Sequence, residues 1–230
     1  MIHRNMTKSL LAGFLSMYPL LSTDLALGAE DAGRVLKPGE TLVDQVRVRP
    51  NIVLTVKQTY ATYPVLGQTW QEILSSLQQT PLHVHGSKAY GETQWSWDGD
   101  YQLSNADGNC SLAGYNLTLD LTMTIPELRT AGLSEGELAF WRDYANGIAS
   151  HEQVHAKDAM NAAVAWLEQI ATLGAYTNCQ GLTDAFNGIQ AQSLEALRQR
   201  AAYVDAHSLG FPSELLQQTT LDTVISSRPE

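Results

Sequence analysis

Five consecutive residues, His151-Glu152-Gln153-Val154-His155, carry most of the chemistry legible in this sequence. On an α-helix the two histidines are one turn and about 40° of azimuth apart, so both imidazoles reach toward one point. Neutral imidazoles are good zinc ligands, and a catalytic zinc takes three protein ligands plus a water. The metal lowers the pKa of that water, and Glu152, beside the same face, is placed to accept its proton as general base. H-E-x-x-H on a helix is therefore half of a hydrolytic site. The competing reading is a pair of helix-face histidines that only pack or are solvated.

A third ligand is missing from the helix itself. After His155 the chain reads Ala-Lys-Asp-Ala-Met-Asn, which excludes an H-x-x-G-x-x-H extension. The ligand must come from the next helical segment or its end. There His207 is the leading candidate and Asp205 the alternative, and Glu195 would complete a His/His/Glu set. Asp158 lies three residues beyond His155, within reach of its ring. It is expected either to orient that ligand by accepting its second N–H or to be an ordinary surface carboxylate. His83 and His85 would share a strand face, but with no third ligand beside them they read as a solvated face. Trp95 and Trp97 also share a face and read as core or rim packing. No Gly-rich phosphate loop, G-x-S-x-G elbow or C-x-x-C is present.

The elements that must position these residues fall into two halves. Residues 38–125 read mainly as strands: Val43–Val48 alternates imperfectly, Ile52–Val56 is β-branched, and Thr93–Trp97 and Tyr115–Met123 alternate polar with apolar. A short helix is expected over Thr69–Gln79, with Thr69 as N-cap. Asp107-Gly108 signals a turn, and neither Gly108 nor Gly114 suits a strand interior. After Pro126 the pattern becomes helical. Ser134 and Glu137 form a capping box, an apolar stripe runs from Trp141 through Tyr144, Ile148 and Trp166 to Ile170, and Gly174 is the expected C-cap. A second helix is expected from Thr183-Asp184 to about Val204. The fold class is α+β, an N-terminal antiparallel sheet region followed by long helices.

The N-terminus reads as an export signal over residues 1–28. Arg4 and Lys8 precede the apolar run Leu10–Leu21, and Ala26-Leu27-Gly28 resembles a cleavage site. The run is too short for a membrane span, which needs roughly 20 residues. The remainder, 29–230, reads as one exported domain, secreted or periplasmic, without stable membrane insertion. In an oxidising compartment Cys110 and Cys179, the two cysteines, are expected to pair. With 230 residues, 44% of them hydrophobic, the chain can bury a large core. Its net charge of −10 excludes a general nucleic-acid binder.

The order Tyr63-Pro64-Val65-Leu66-Gly67-Gln68-Thr69-Trp70, Gly91-Glu92-Thr93-Gln94-Trp95-Ser96-Trp97, Cys110 and His151-Glu152-Gln153-Val154-His155 resembles a bacterial domain-of-unknown-function family. That family is described as predicted secreted zinc-dependent proteases within the zincin-like group. The resemblance covers about residues 40–210. It implies a zincin-like fold, a bound Zn2+, a peptide or protein substrate, and an aspartate after the motif, whose counterpart is Asp158. It also implies a Tyr-Asp…His segment after the second cysteine, present in compressed form as Tyr203-Val204-Asp205-Ala206-His207-Ser208. The expected function is a secreted or periplasmic zinc peptidase with Glu152 as general base. The alternatives are a non-catalytic exported zinc module that binds envelope partners, and zinc hydrolysis of a non-peptide amide.

Overall fold

The computed structural model describes residues 37–79, 82–84, 87–129 and 132–211. The export signal expected over residues 1–28 lies outside them, as does His85. Strands β1 (Thr41–Arg49) and β2 (Ile52–Val65) are followed by helix α1 (Trp70–Gln78) and a small hairpin, β3 (His83–Val84) and β4 (Ser87–Lys88). Two long strands come next, β5 (Glu92–Ala106) and β6 (Asn109–Leu128), then two long helices, α2 (Glu135–Ile170) and α3 (Cys179–His207). The architecture is the expected α+β, a sheet region followed by helices.

The main sheet has the order β1-β2-β6-β5 and is mixed rather than antiparallel. β1 and β2 pair antiparallel, as do β5 and β6, but β2 and β6 run parallel, with Ile52 opposite Tyr115 and Val65 opposite Leu128. Alternation in a sequence reports which face a side chain occupies, not the direction of its strand, so the parallel pair was not visible in it. Gly114 lies inside β6, contrary to expectation. The β5–β6 register shifts there: Gln102 faces Gly114 while Leu103 faces Leu112, leaving Ala113 as the extra residue of a bulge. A Cβ on Gly114 would stand 3.2 Å from the Asn51 carbonyl, so the glycine admits a close backbone approach. Gly108 does sit in the Asp107-Gly108 turn, both residues at positive φ.

Alternation sorts the sheet into a wet face and a dry one. Leu54, Val56, Leu117, Leu119 and Leu121 are buried against α2 and α3, whereas Lys57 and Asp120 form an ion pair at 3.8 Å on the open face. Trp166 is fully buried at the centre of this packing, stacked on Trp97 at 5.3 Å and met edge-on by Tyr115. A second apolar cluster joins α1 to the first half of α2 through Ile73, Leu77, Trp141, Tyr144 and Ile148.

The helix starts follow their caps. The Thr69 hydroxyl accepts from the Glu72 N–H at 3.3 Å, and the Ser134–Glu137 capping box forms in full. α2 closes at Ala171 rather than at Gly174, because a tapering turn (Thr172 N–H to Gln169, Leu173 N–H to Ile170) satisfies its last carbonyls first. α3 begins before Thr183. Asn178 caps it by accepting from the Gly181 N–H at 2.8 Å, and Thr183 bonds back to the Cys179 carbonyl from inside the helix. Cys110 and Cys179 form the expected disulfide, tying the start of β6 to the start of α3, and Tyr176 bridges to Cys110 through backbone hydrogen bonds alongside. Among the described residues, no helix is long and apolar enough to cross a membrane.

Candidate metal centre on helices α2 and α3

His151, Glu152 and His155 all lie on α2, whose middle turns are pressed between the sheet and α3. Among the described residues Glu152 is the only buried charged side chain, 4% exposed. It sits between Ile148 of one apolar cluster and Ala156 of the other. Burying a carboxylate there is costly without partners. Its partner is Thr93, near the start of β5, whose hydroxyl lies 2.8 Å from Oε2 and 3.0 Å from the Glu152 carbonyl oxygen. Burial pushes the carboxyl above its ordinary range, opposed by the Thr93 hydrogen bond and by His151, and assisted by the charges of Asp205 and Glu92. β5 comes this close because residue 91 is glycine: a Cβ there would lie 2.6 Å from Glu152 Oε1 and from Ile148 Cγ2. The Tyr63 hydroxyl donates to the Tyr90 carbonyl at 2.8 Å and holds the approaching strand in place.

The two histidine rings stand edge to face, with Nε2 of each 3.3 Å from the other. Asp205, in the last turn of α3, completes a triangle. Its Oδ1 is 2.9 Å from His155 Nε2 and 3.4 Å from His151 Nε2. The donor set fits zinc in type, two imidazoles and a carboxylate. It also fits in spacing, because ligand atoms on a tetrahedral zinc stand about 3.3 Å apart and two of the three edges match. Nδ1 of His151 lies 2.8 Å from the Leu209 carbonyl. A carbonyl can only accept, so Nδ1 carries the proton and the lone pair of Nε2 faces the cluster, the tautomer a metal ligand needs. Burial pushes the His155 imidazole below its ordinary value, which favours the neutral ring despite Asp205 beside it.

The structure departs from the sequence reading at three positions. His207, the leading candidate for third ligand, is not in the cluster. It follows Asp205 by two residues, about 200° around a helix, so with Asp205 facing α2 it faces away. Its ring stacks on Tyr203 at 4.0 Å, and its Nδ1 donates to the Tyr203 carbonyl. Glu195 is also elsewhere, exposed beside Gln199 and Arg198 on the same helix. Asp158 does not accept from His155; its Oδ2 accepts from Arg200 Nε at 2.7 Å, joining α2 to α3. The His151 ring is instead oriented by Leu209, through its backbone carbonyl. Thr93, Gly91 and Leu209 carry no local signal in the sequence, because the contacts that matter are long-range and one of them depends on an absent side chain. His83 lies on β3 and is not a member of the His151, His155 and Asp205 group.

No curated protein and no solved structure matches the chain. Residues 60–209 match a protein family described as "Bacterial protein of unknown function (DUF922)". The matched stretch runs from within β2 to Leu209 and takes in every side chain of the cluster together with Gly91, Thr93 and Glu152. The chain belongs to this DUF922 family of bacterial proteins of unknown function.

Proposed function

We propose that this chain is an exported, zinc-dependent peptidase. The observation that carries the reading is the convergence of His151 Nε2, His155 Nε2 and Asp205 Oδ1 beside the buried Glu152. These three atoms would hold the ion. When bound, zinc polarises a substrate carbonyl and makes a water acidic enough to serve as nucleophile near neutral pH. Glu152 is the proton acceptor, its carboxyl raised by burial toward the range where a general base works best. Leu209 keeps the His151 ring in its ligand tautomer, and Thr93 fixes the Glu152 carboxylate against the strand.

A peptide substrate is favoured by β5. Among the described residues it is a terminal strand of the main sheet, the position at which an extended chain can add by backbone pairing, and the same strand contacts Glu152 through Thr93. Export is favoured by the N-terminal signal pattern and by a disulfide that suits an oxidising compartment. A closed four-ligand site would favour a non-catalytic zinc module and an open position would favour hydrolysis; among the described residues the group has three members, which suits the second.

The test pairs zinc stoichiometry with cleavage of a peptide library, comparing wild type with Glu152→Gln. Both proteins are expected to bind one zinc, and only the wild type to cleave. Bound zinc with no cleavage by either would overturn the peptidase reading. Asp205→Ala is expected to lose zinc and His207→Ala to retain it; the opposite pattern would refute the ligand assignment.

A further inference from the structure

Four residues just past α3 do more than end a helix. Ser208 turns the chain with φ 47° and ψ 41°, and its N–H and that of Leu209 bond to the carbonyls of Asp205 and Val204. The reversal carries the Leu209 carbonyl to His151 Nδ1 at 2.8 Å. Gly210 follows with φ +86°, pressed so close to α2 that a Cβ would lie 2.7 Å from the Ser150 carbonyl oxygen, 2.9 Å from Val154 Cγ2 and 3.1 Å from His151 Cα. Phe211 then docks edge-on against Tyr144, with ring centroids 5.8 Å apart, two turns up the same helix.

We infer that Ser208–Phe211 is a positioning clamp for the metal centre and that Gly210 is the residue that makes it possible. This rests on the zinc reading above. The end of α3 supplies both a ligand, Asp205, to one side of the cluster and a ring lock, Leu209, to the other. Between these two contacts and Phe211 the segment is pressed onto α2 at Gly210. Capping the helix needs only the left-handed turn at Ser208. The approach of Gly210 to His151 is an addition with no capping role. Gly210 is doubly constrained, by a backbone conformation that favours glycine and by the absence of room for any Cβ. A side chain at 210 must lift the Leu209 carbonyl off Nδ1, freeing the imidazole to rotate or to change tautomer.

The experiment compares the full-length wild type with Gly210→Ala, Phe211→Ala and His207→Ala. Zinc affinity is measured by competition with a chromophoric chelator, site geometry by the visible spectrum of the cobalt-substituted protein, and the His151 tautomer by long-range proton–nitrogen NMR on metal-free protein. Circular dichroism serves as the folding control. Gly210→Ala is expected to weaken zinc binding about 10–100-fold, the range for losing a partner that orients a ligand, with an altered cobalt spectrum and loss of the pure Nδ1–H form. Phe211→Ala, which loosens the clamp without a backbone clash, should shift all three in the same direction by less, and it decides the matter should Gly210→Ala fail to fold. His207→Ala should match wild type. Folded Gly210→Ala and Phe211→Ala proteins with wild-type affinity and tautomer would overturn the clamp. A wild type that binds no zinc would overturn the zinc reading itself, and the two failures are told apart by that one measurement.

Discussion

Gly91→Ala is the most local perturbation of Glu152 that leaves every proposed metal ligand in place. The added methyl carbon would stand 2.6 Å from Glu152 Oε1, 2.6 Å from Ile148 Cγ2 and 3.0 Å from Glu152 Cγ. Carbon contacts are comfortable at about 3.5 Å, so the deficit is about 0.9 Å on two sides at once. Neither neighbour can yield easily: Ile148 is buried in a packed cluster, and the carboxylate is tethered to Thr93. Overpacking of this kind costs about 1–3 kcal/mol, and 2 kcal/mol corresponds to a drop in Tm of about 4–8 °C for a domain of this size. In the Glu152→Ala background two of the three close contacts vanish, so the cost of the Gly91 substitution should fall by about 1 kcal/mol in a double-mutant cycle read by urea unfolding. Zinc stoichiometry should be unchanged throughout, while peptide cleavage should fall on the order of 100-fold, as expected for a displacement near 1 Å of a group that must meet its proton. A Gly91→Ala protein as stable as wild type, or one whose cost is the same with and without the Glu152 carboxylate, would refute the argument.

Two further outcomes follow from the same geometry. Replacing both Cys110 and Cys179 by serine opens a link between residues 69 apart and should lower unfolding free energy by about 4 kcal/mol, seen as a lower urea midpoint with a somewhat steeper slope, because the released chain unfolds to a more expanded state; no loss would mean that the unfolded chain gains nothing from its release. In metal-free protein held in chelator, Glu152→Gln should grow more stable relative to wild type as pH rises. A carboxyl whose folded pKa lies above the ordinary value of 4.5 contributes its stability below that value and loses it as pH climbs through the folded one, whereas glutamine does not titrate. Urea unfolding of both proteins between pH 4.5 and 7 checks this, and a difference that stays flat with pH would contradict the burial of an ionising Glu152.

What could be read from the sequence was whatever depends on near neighbours. The capping box at Ser134 and Glu137, the Thr69 cap, the turn at Asp107-Gly108 and the pairing of His151 with His155 all involve residues within a turn or two of each other, where spacing and geometry are the same fact. The Cys110–Cys179 pairing followed from having two cysteines in a chain read as exported. The third ligand was harder. Asp205 and His207 differ by two residues, and which of them faces α2 depends on the rotation of α3 about its own axis, fixed by Leu197, Val204 and the Asp158–Arg200 pair rather than by any local preference. The parallel pairing of β2 with β6 and the bulge at Ala113 are likewise properties of strands brought together from afar. Gly91 and Gly210 illustrate the limit most sharply, because a glycine required for close approach looks, in sequence, like any other glycine.

The central place of β6 in the sheet also dictates an order of assembly. β1 and β2 can close as a hairpin as soon as both exist, but the apolar face of β2, with Leu54 and Val56, has no cover until β6 and then α2 have been made. Until then β2 presents an unpaired edge and an uncovered flank, the combination most prone to pairing with another chain. β5 cannot join β2 directly either, since β6 lies between them. The disulfide cannot form early, because Cys179 opens α3 and is made only after every strand of the sheet and α2. This one bond can therefore close only in a chain that already contains β6, the strand that pairs the hazardous edge of β2.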